Sequence, residues 1–290
     1  MATILVSGAT GTIGSAVVVA LSEAEIPFKV MVRSKEKGRA FEEQGIPFVL
    51  ADYGHPATLD EALQGVDRAF LVTPPHEKMV EWEKNFIDAA EENGVQHIVK
   101  ISAIGASPDQ GTRLGGYHAA VEHYLKKADL HYTILRPHSF MQNQLGNLET
   151  IKTQGAIYAP MGNGRIPIID ARDIGAAAAK ILQAPDDYEG QIFNLTGSEA
   201  LSYDDVAEIV SQAVGKPVHY VNVNPEAAVS AMVSVGFPQW LAEDLVKLNE
   251  QWSQGVDTEV DLSTQAILGR QPRHFRDFVR DHQAFFKEEE

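Results

Sequence analysis

Short, uniformly apolar runs recur through the first half of the chain, at residues 4–7, 28–32, 47–50, 69–72, 97–101 and 132–136. Between them fall longer stretches whose apolar positions lie three and four apart, at 12–24, 35–44, 58–64, 77–93 and about 117–127. Runs that stay apolar throughout suit strands buried on both faces, and the intervening period suits helices packed on a sheet. Such alternation predicts a doubly wound parallel α/β sheet with right-handed crossovers. Gly45-Ile46-Pro47 and Asn93-Gly94-Val95 supply helix stops before the next strand. The stripe Trp82, Phe86, Ala90 reads as core.

Beyond Pro137 the rhythm loosens. Glycines and prolines at Gly155, Pro160, Gly162, Gly164 and Pro167 mark turns around short strands. Helical patterns follow at 170–184, from Ser202 to about 214, at about 225–235, at 238–254 and near 272–286, with strands at 190–196 and 217–223. Ser202-Tyr203-Asp204-Asp205 is a cap followed by an acidic first turn. The expected division is a nucleotide-binding domain over 1–148 and a smaller α/β domain over 149–290, the strand near 190–196 returning to the first sheet. Glu288, Glu289 and Glu290 read as a solvated tail.

Composition narrows the partners. The chain has 290 residues, with 24 Lys plus Arg against 40 Asp plus Glu, a formal charge of −16. Such a chain repels phosphate backbones and anionic lipid, which argues against nucleic acid and membrane surfaces. Any anion site must then be built locally. Cysteine is absent, which removes disulfides, thiolate metal sites and cysteine nucleophiles. No signal-peptide pattern and no spanning apolar run is read, so the expectation is a cytoplasmic protein.

The first strand leads into Gly8-Ala9-Thr10-Gly11-Thr12-Ile13-Gly14 and then a helix. In that context a glycine triplet predicts a dinucleotide diphosphate turn: Gly8 for the tight turn, Gly11 for close backbone approach, Gly14 for close packing of helix on sheet. The helix start then offers free amides and a positive dipole end. Arg33 ends the second strand 19 positions beyond Gly14, with Lys35 and Lys37 nearby. An acid there would serve a ribose 2′-hydroxyl; a guanidinium suits a 2′-phosphate, so NADP(H) is favoured over NAD. Asp52, after the third strand, is either an acceptor for the adenine amine or an ordinary turn residue. Thr73-Pro74, which ends the fourth strand, is either a rigid, donor-poor wall beside the expected nicotinamide ribose or a simple stop signal.

These elements, with Ala51-Asp52-Tyr53 and the run 132–143 from Tyr132 to Asn143, resemble the NmrA-like group of atypical short-chain dehydrogenases/reductases. Within that group the chain resembles the NADPH:quinone oxidoreductase and triphenylmethane or azo-dye reductase type. The resemblance spans nearly the whole chain. It implies a Rossmann domain and a small C-terminal domain with an active cleft between them. It also implies NADP contacts from Gly8, Thr10, Gly11, Thr12, Ile13, Arg33, Thr73 and Pro74, and Phe140, Met141 and Asn143 by the cleft. The partner is then a small aromatic acceptor; the oligomeric state, a homodimer included, stays open.

Ordinary members of the wider family use Tyr-x-x-x-Lys as a proton relay. If Glu122 sets the register, His118 stands at the lysine position and Leu114 at the tyrosine position, and Tyr117 paired forward meets Val121. The pair is absent in that register. Alcohol oxidation, carbonyl reduction and epimerisation need it; hydride transfer to a conjugated acceptor does not, because charge delocalises and solvent supplies the proton. His118, Tyr117 and Ser102 are the candidate catalytic residues. His118 is equally a surface histidine paired with Glu122 one turn on, and Ser102 equally a strand-end cap. A metal held by His118, Glu122 and His123 lacks a third convergent ligand, so none is expected. Two other functions use the same turn: a non-catalytic NADP(H) sensor, and an isomerase or imine reductase with Tyr117 or His118 as acid.

Overall fold

The computed structural model describes residues 3–109 and 111–286. In chain order the elements are β1 (Ile4–Val6), α1 (Thr12–Glu23), β2 (Phe28–Val32), α2 (Lys35–Glu42), β3 (Phe48–Leu50), α3 (Pro56–Leu63), β4 (Arg68–Leu71), α4 (Met79–Glu92), β5 (His97–Ile101), α5 (Arg113–Leu125), β6 (His131–Pro137), α6 (Leu148–Gln154), β7 (Ala156–Ala159), β8 (Arg165–Ile166), α7 (Ala171–Gln183), β9 (Ile192–Leu195), β10 (Leu201–Ser202), α8 (Tyr203–Val214), β11 (His219–Asn222), α9 (Pro225–Ser234), α10 (Gln239–Ser253), α11 (Ser263–Leu268), α12 (Phe275–Asp281) and α13 (Gln283–Phe286). The expected tail Glu288, Glu289 and Glu290 lies outside the described residues.

Chain contacts divide the protein into two units. One comprises Met1–Pro137 and Ala171–Leu195, the other His138–Asp170 and Thr196–Glu290. This division falls at 137/138 where 148/149 was expected, because the turn of 3₁₀ helix Met141–Asn147 packs with the second unit.

The first unit is built on one seven-stranded sheet, ordered β3-β2-β1-β4-β5-β6-β9, every pairing parallel. Six of these strands follow the order of a Rossmann fold, with the reversal between β1 and β4. The segment near 190–196 supplies β9, which pairs with β6 through Ile134↔Ile192 and Leu135↔Phe193. Strands β1 and β4 carry Ile4, Leu5, Val6, Phe70 and Leu71 at 1% exposure or less, as sequences without alternation require. Phe86 and Ala90 lie in the core beneath β4 and β5, whereas Trp82, the third member of that stripe, is half-buried at its margin.

The second unit holds two small sheets, β7 parallel to β11 and β8 antiparallel to β10. Its core gathers Met141, Ile151, Ile157, Phe275, Phe278 and Phe286 among others. Helix α8 opens on the expected cap as a reciprocal box: Asp205 N donates to Ser202 Oγ, and Ser202 N donates to Asp205 Oδ2 at 2.8 Å. Among the described residues no helix is long and apolar enough to cross a membrane.

Candidate functional site

The site is built at the carboxyl ends of β1 to β6, in the first unit, where an open parallel sheet places its ligands. The chain leaves β1 through Ser7, which is fully buried and accepts from Val72 N, while Ser7 N donates to Phe70 O. Gly8 then turns with φ +59°, a left-handed conformation, and a Cβ there would strike Val72 Cγ1 at 2.6 Å. Gly11 N closes the turn on Gly8 O at 2.9 Å. Gly14 presses against the same turn so closely that a Cβ would stand 2.1 Å from Gly8 O. At Gly8 and Gly14 a side-chain carbon would therefore collide with the turn itself or with the end of β4, and at Gly11 it would stand 3.3 Å from Gly8 O.

Helix α1 begins without the usual neutralising devices. Its N-cap, Gly11, makes no side-chain cap bond, and its first turn holds no acidic residue. The first intrahelical bond is Ser15 N to Gly11 O, so the amides of Thr12, Ile13 and Gly14 lack an intrahelical acceptor. Thr10, Gly11 and Thr12 are exposed, and Ile13 turns its side chain into the core. An exposed helix start of this kind attracts an anion through both its amides and its dipole. At the end of β2, Arg33 is exposed and carries no ion pair among the described residues; Ser34 caps α2, which opens on Lys35 and Lys37.

The two elements beyond are turn structures with definite anchors. Asp52 Oδ1 accepts from Gly54 N at 2.8 Å, and Asp52 N donates to Thr58 Oγ1. This is the Asx-turn geometry of the plainer expectation, with Oδ2 left over. Tyr53, to which the sequence assigned no separate role, is buried and donates its hydroxyl to Val72 O at 2.9 Å, tying the β3 turn to the end of β4. Burial raises its pKa first, with the Glu83 charge adding to it. Thr73 turns its hydroxyl inward, donating to Glu83 Oε1 at 2.7 Å, so only its backbone and methyl remain for a ligand; Pro74 is exposed.

Behind Thr73 lies an ion pair that sequence reading missed. Glu83 of α4 and Lys100 of β5 are 1% and 0% exposed, with Nζ 2.9 Å from Oε2, and Nζ also donates to Ile101 O at 2.8 Å. A lysine inside the apolar run His97-Ile98-Val99-Lys100-Ile101 was the available signal. A second group follows β5 and β6. Ser102 is buried and donates to Glu122 Oε1 at 2.6 Å, while Arg136 grips both Glu122 oxygens, Nε to Oε1 at 2.8 Å and Nη2 to Oε2 at 2.6 Å. Burial alone would raise the Glu122 pKa; the hydrogen bonds from Arg136 and Ser102 and the charges of Arg136 and Lys126 outweigh it and hold the carboxyl below its ordinary value.

His118 therefore does not pair with Glu122, because Arg136 and Ser102 have taken that carboxylate. Its Nδ1 is buried with no hydrogen-bond partner. Burial first, then the charges of Lys100 and Arg136, hold its pKa well below the ordinary imidazole value, so the ring is neutral. Tyr117 is half-buried beside it on α5, and Leu114, one turn before His118, is buried. Helix α5 starts at Arg113, four residues earlier than expected, because Thr112 Oγ1 caps it by accepting from Gly115 N. Ser102 thus has its hydroxyl engaged by Glu122 within the unit. In the second unit, Met141 is 1% exposed and belongs to the core, Phe140 is half-buried, and Asn143 is exposed with its amide donating to Ser139 Oγ.

With this geometry in view, the likenesses to known proteins are extensive. An NAD(P)H azoreductase of Xenophilus azovorans is 38% identical over 283 residues, 98% of this chain and 99% of that protein. Quinone oxidoreductase 2 of Escherichia coli strain K12 is 30% identical over 269 residues, 92% and 93% of the two chains. Among solved structures, the Escherichia coli NADPH-dependent quinone oxidoreductase complexed with NADPH superimposes with a TM-score of 0.87 at 28% identity, covering 96% of this chain and 99% of that one. The Citrobacter sp. triphenylmethane reductase complexed with NADP(H) does so with a TM-score of 0.85 at 25% identity, covering 97% and 99%. The model of the NmrA-like family matches residues 1–278, and the chain belongs to that family.

Proposed function

We propose that the protein is an NADPH-dependent reductase that passes hydride to a quinone-like, azo or other conjugated aromatic acceptor. The observation that carries this reading is the uncapped, acid-free start of α1 on its three-glycine cradle. Thr12, Ile13 and Gly14 amides would hold the diphosphate, and Arg33, with Lys35 and Lys37 near it, the 2′-phosphate. When bound, the reduced nicotinamide supplies the hydride. The relatives named for azo and quinone reduction support the acceptor class.

The residues of α5 support a mechanism without a Tyr/Lys relay. In the register set by Glu122, buried Leu114 stands where the tyrosine would be, and neutral His118 where the lysine would be. A neutral imidazole with a buried unengaged nitrogen accepts or donates one hydrogen bond, to a ribose hydroxyl or to the reduced product, and brings no positive charge. A conjugated acceptor spreads the incoming charge over its π-system and takes its proton from solvent. Holding cofactor and acceptor in place then supplies most of the rate gain. The test is steady-state NADPH oxidation with a panel of a benzoquinone, an azo dye and a triphenylmethane dye. Turnover of at least one is expected. NADPH binding without turnover of any of them would replace the enzyme reading with the sensor.

A further inference from the structure

The first unit holds a cavity of about 510 Å³ at the amino ends of its strands, the opposite ends from the diphosphate turn. Arg68, His97 and His131 open β4, β5 and β6 and stand in register, Arg68↔His97 and His97↔His131, so their side chains lie in a row on one face of the sheet. All three line the cavity, and the exposed carboxylates of Glu91, Asp129 and Asp186 stand around it. The outer members of the row are engaged. Arg68 Nη1 donates to Leu182 O at 2.6 Å and to Gln183 O at 2.9 Å, at the negative end of the α7 dipole, and His131 Nδ1 pairs with Glu189. The carboxylates are not matched in this way. Glu91 Oε1 accepts from Asp129 N at 2.8 Å, and the Asp129 and Asp186 carboxylates have no hydrogen bond or ion pair among the described residues.

The middle member, His97, is only 3% exposed. Thr133 Oγ1 gives its proton to Tyr188 O at 2.9 Å, so His97 Nε2, 2.9 Å from that hydroxyl, is the donor and Nδ1 carries the lone pair. Nδ1 has no hydrogen-bond partner among the described residues, yet it is not sealed from solvent, so its lone pair opens on the cavity that the ring lines. Burial keeps the ring neutral at pH 7, with the charges of His131, Glu189, Arg68 and Asp186 acting on it, so the lone pair stays available. A buried acceptor beneath unmatched carboxylates suits a ligand that is positively charged and rich in N–H donors. Among the described residues no three His, Asp or Glu side chains are placed to hold a metal ion, which leaves an organic cation. We propose that this cavity is a ligand site, separate from the cofactor edge, for a small aliphatic amine whose ammonium donates to His97 Nδ1 while Asp129 and Asp186 balance its charge. The proposal does not rest on the NADP(H) reading, which concerns the other ends of the same strands.

The probe is putrescine, an aliphatic diamine, titrated by calorimetry at pH 7 in about 0.15 M salt, where the screening length of about 8 Å suppresses its general attraction to an acidic chain. Saturable one-to-one uptake is expected, with a shift of the His97 Nδ1 resonance in nitrogen-15 NMR spectra of the imidazoles. Asp129→Asn/Asp186→Asn changes two exposed positions, so the melting temperature should stay that of the wild type. Uptake should weaken in it by about 2- to 30-fold, the effect of losing two exposed ion pairs. Glu226→Gln/Glu259→Gln removes the same charge from exposed positions of the second unit and should leave uptake unchanged. NADPH affinity should be that of the wild type in both double variants. Uptake that does not saturate, a His97 resonance that does not move, or an equal loss in the two double variants overturns the site. Loss of NADPH affinity in Asp129→Asn/Asp186→Asn overturns its separation from the cofactor edge.

Discussion

A methyl group added at Gly14 would bring its carbon to 2.1 Å from Gly8 O and 2.5 Å from Gly8 C, both backbone atoms that cannot rotate away. The turn and the helix start would have to move apart, and overpacking of this kind costs about 1–3 kcal/mol. Gly14→Ala is therefore expected to lower the melting temperature and to abolish NADPH uptake in calorimetry; normal uptake would mean that the cradle does not hold the diphosphate. Arg33 poses a different question, because it is exposed and has no ion pair among the described residues. A charge-assisted bond to phosphate contributes about 1.5–3 kcal/mol, so Arg33→Ser should reduce the ratio of NADPH to NADH affinity by about 10- to 150-fold with the melting temperature unchanged. An unaltered ratio would assign the 2′-phosphate to another cation. Both residues were legible in the sequence because their chemistry depends on near neighbours along the chain. Ser102 was not, since its partner Glu122 lies 20 positions away on another element and could be found only in three dimensions.

Strands β4 and β5 and helix α4 are clasped by Glu83, Lys100 and Thr73, and this clasp had no signature in helical period or strand alternation. The β–turn–α unit at the N-terminus was readable because spacing alone carries it. The short α11 and the 3₁₀ turn Met141–Asn147 were not, since neither is long enough to show a period. The clasp has a measurable consequence. Removing one partner of a buried ion pair strands the other charge and destabilises by about 3–5 kcal/mol, whereas replacing both with apolar groups of similar volume is near neutral. Lys100→Met should accordingly lower the urea midpoint sharply, and Glu83→Leu/Lys100→Met should recover most of the loss. Recovery of stability without recovery of NADPH oxidation would show that the pair serves the placement of Thr73 more than the fold. A double variant as unstable as the single one would contradict the buried-pair argument.

Each unit also carries a histidine that is buried and neutral, and this couples stability to pH. His97, in the first unit, donates from Nε2 to Thr133 Oγ1, which in turn donates to Tyr188 O; burial first, then the His131 charge, lowers its pKa to about 4. His138, in the second, accepts from Ser139 N through Nδ1 and lies against Trp252 with centroids 4.8 Å apart; burial lowers its pKa to about 4 as well. Unfolded, both titrate near 6.5. Between the two values the unfolded chain binds more protons than the folded one, so stability rises with pH there. The contribution is complete above about pH 6.5 and is lost as the pH falls toward 4, about 3 kcal/mol for each ring. Glu122 acts lower still: its pKa is held down by Arg136 and Ser102 against burial, so its contribution is lost only as the pH falls below the ordinary carboxylate range. Urea unfolding measured at pH 7, 5.5 and 4.5 should thus show a midpoint that falls before the carboxylates begin to protonate. His97→Gln should flatten that early fall while lowering stability at pH 7, because the Thr133 contact is altered but no proton is taken up. A wild-type midpoint constant from pH 7 to 4.5, or an equal slope in His97→Gln, would show that the buried imidazoles do not set the acid limit.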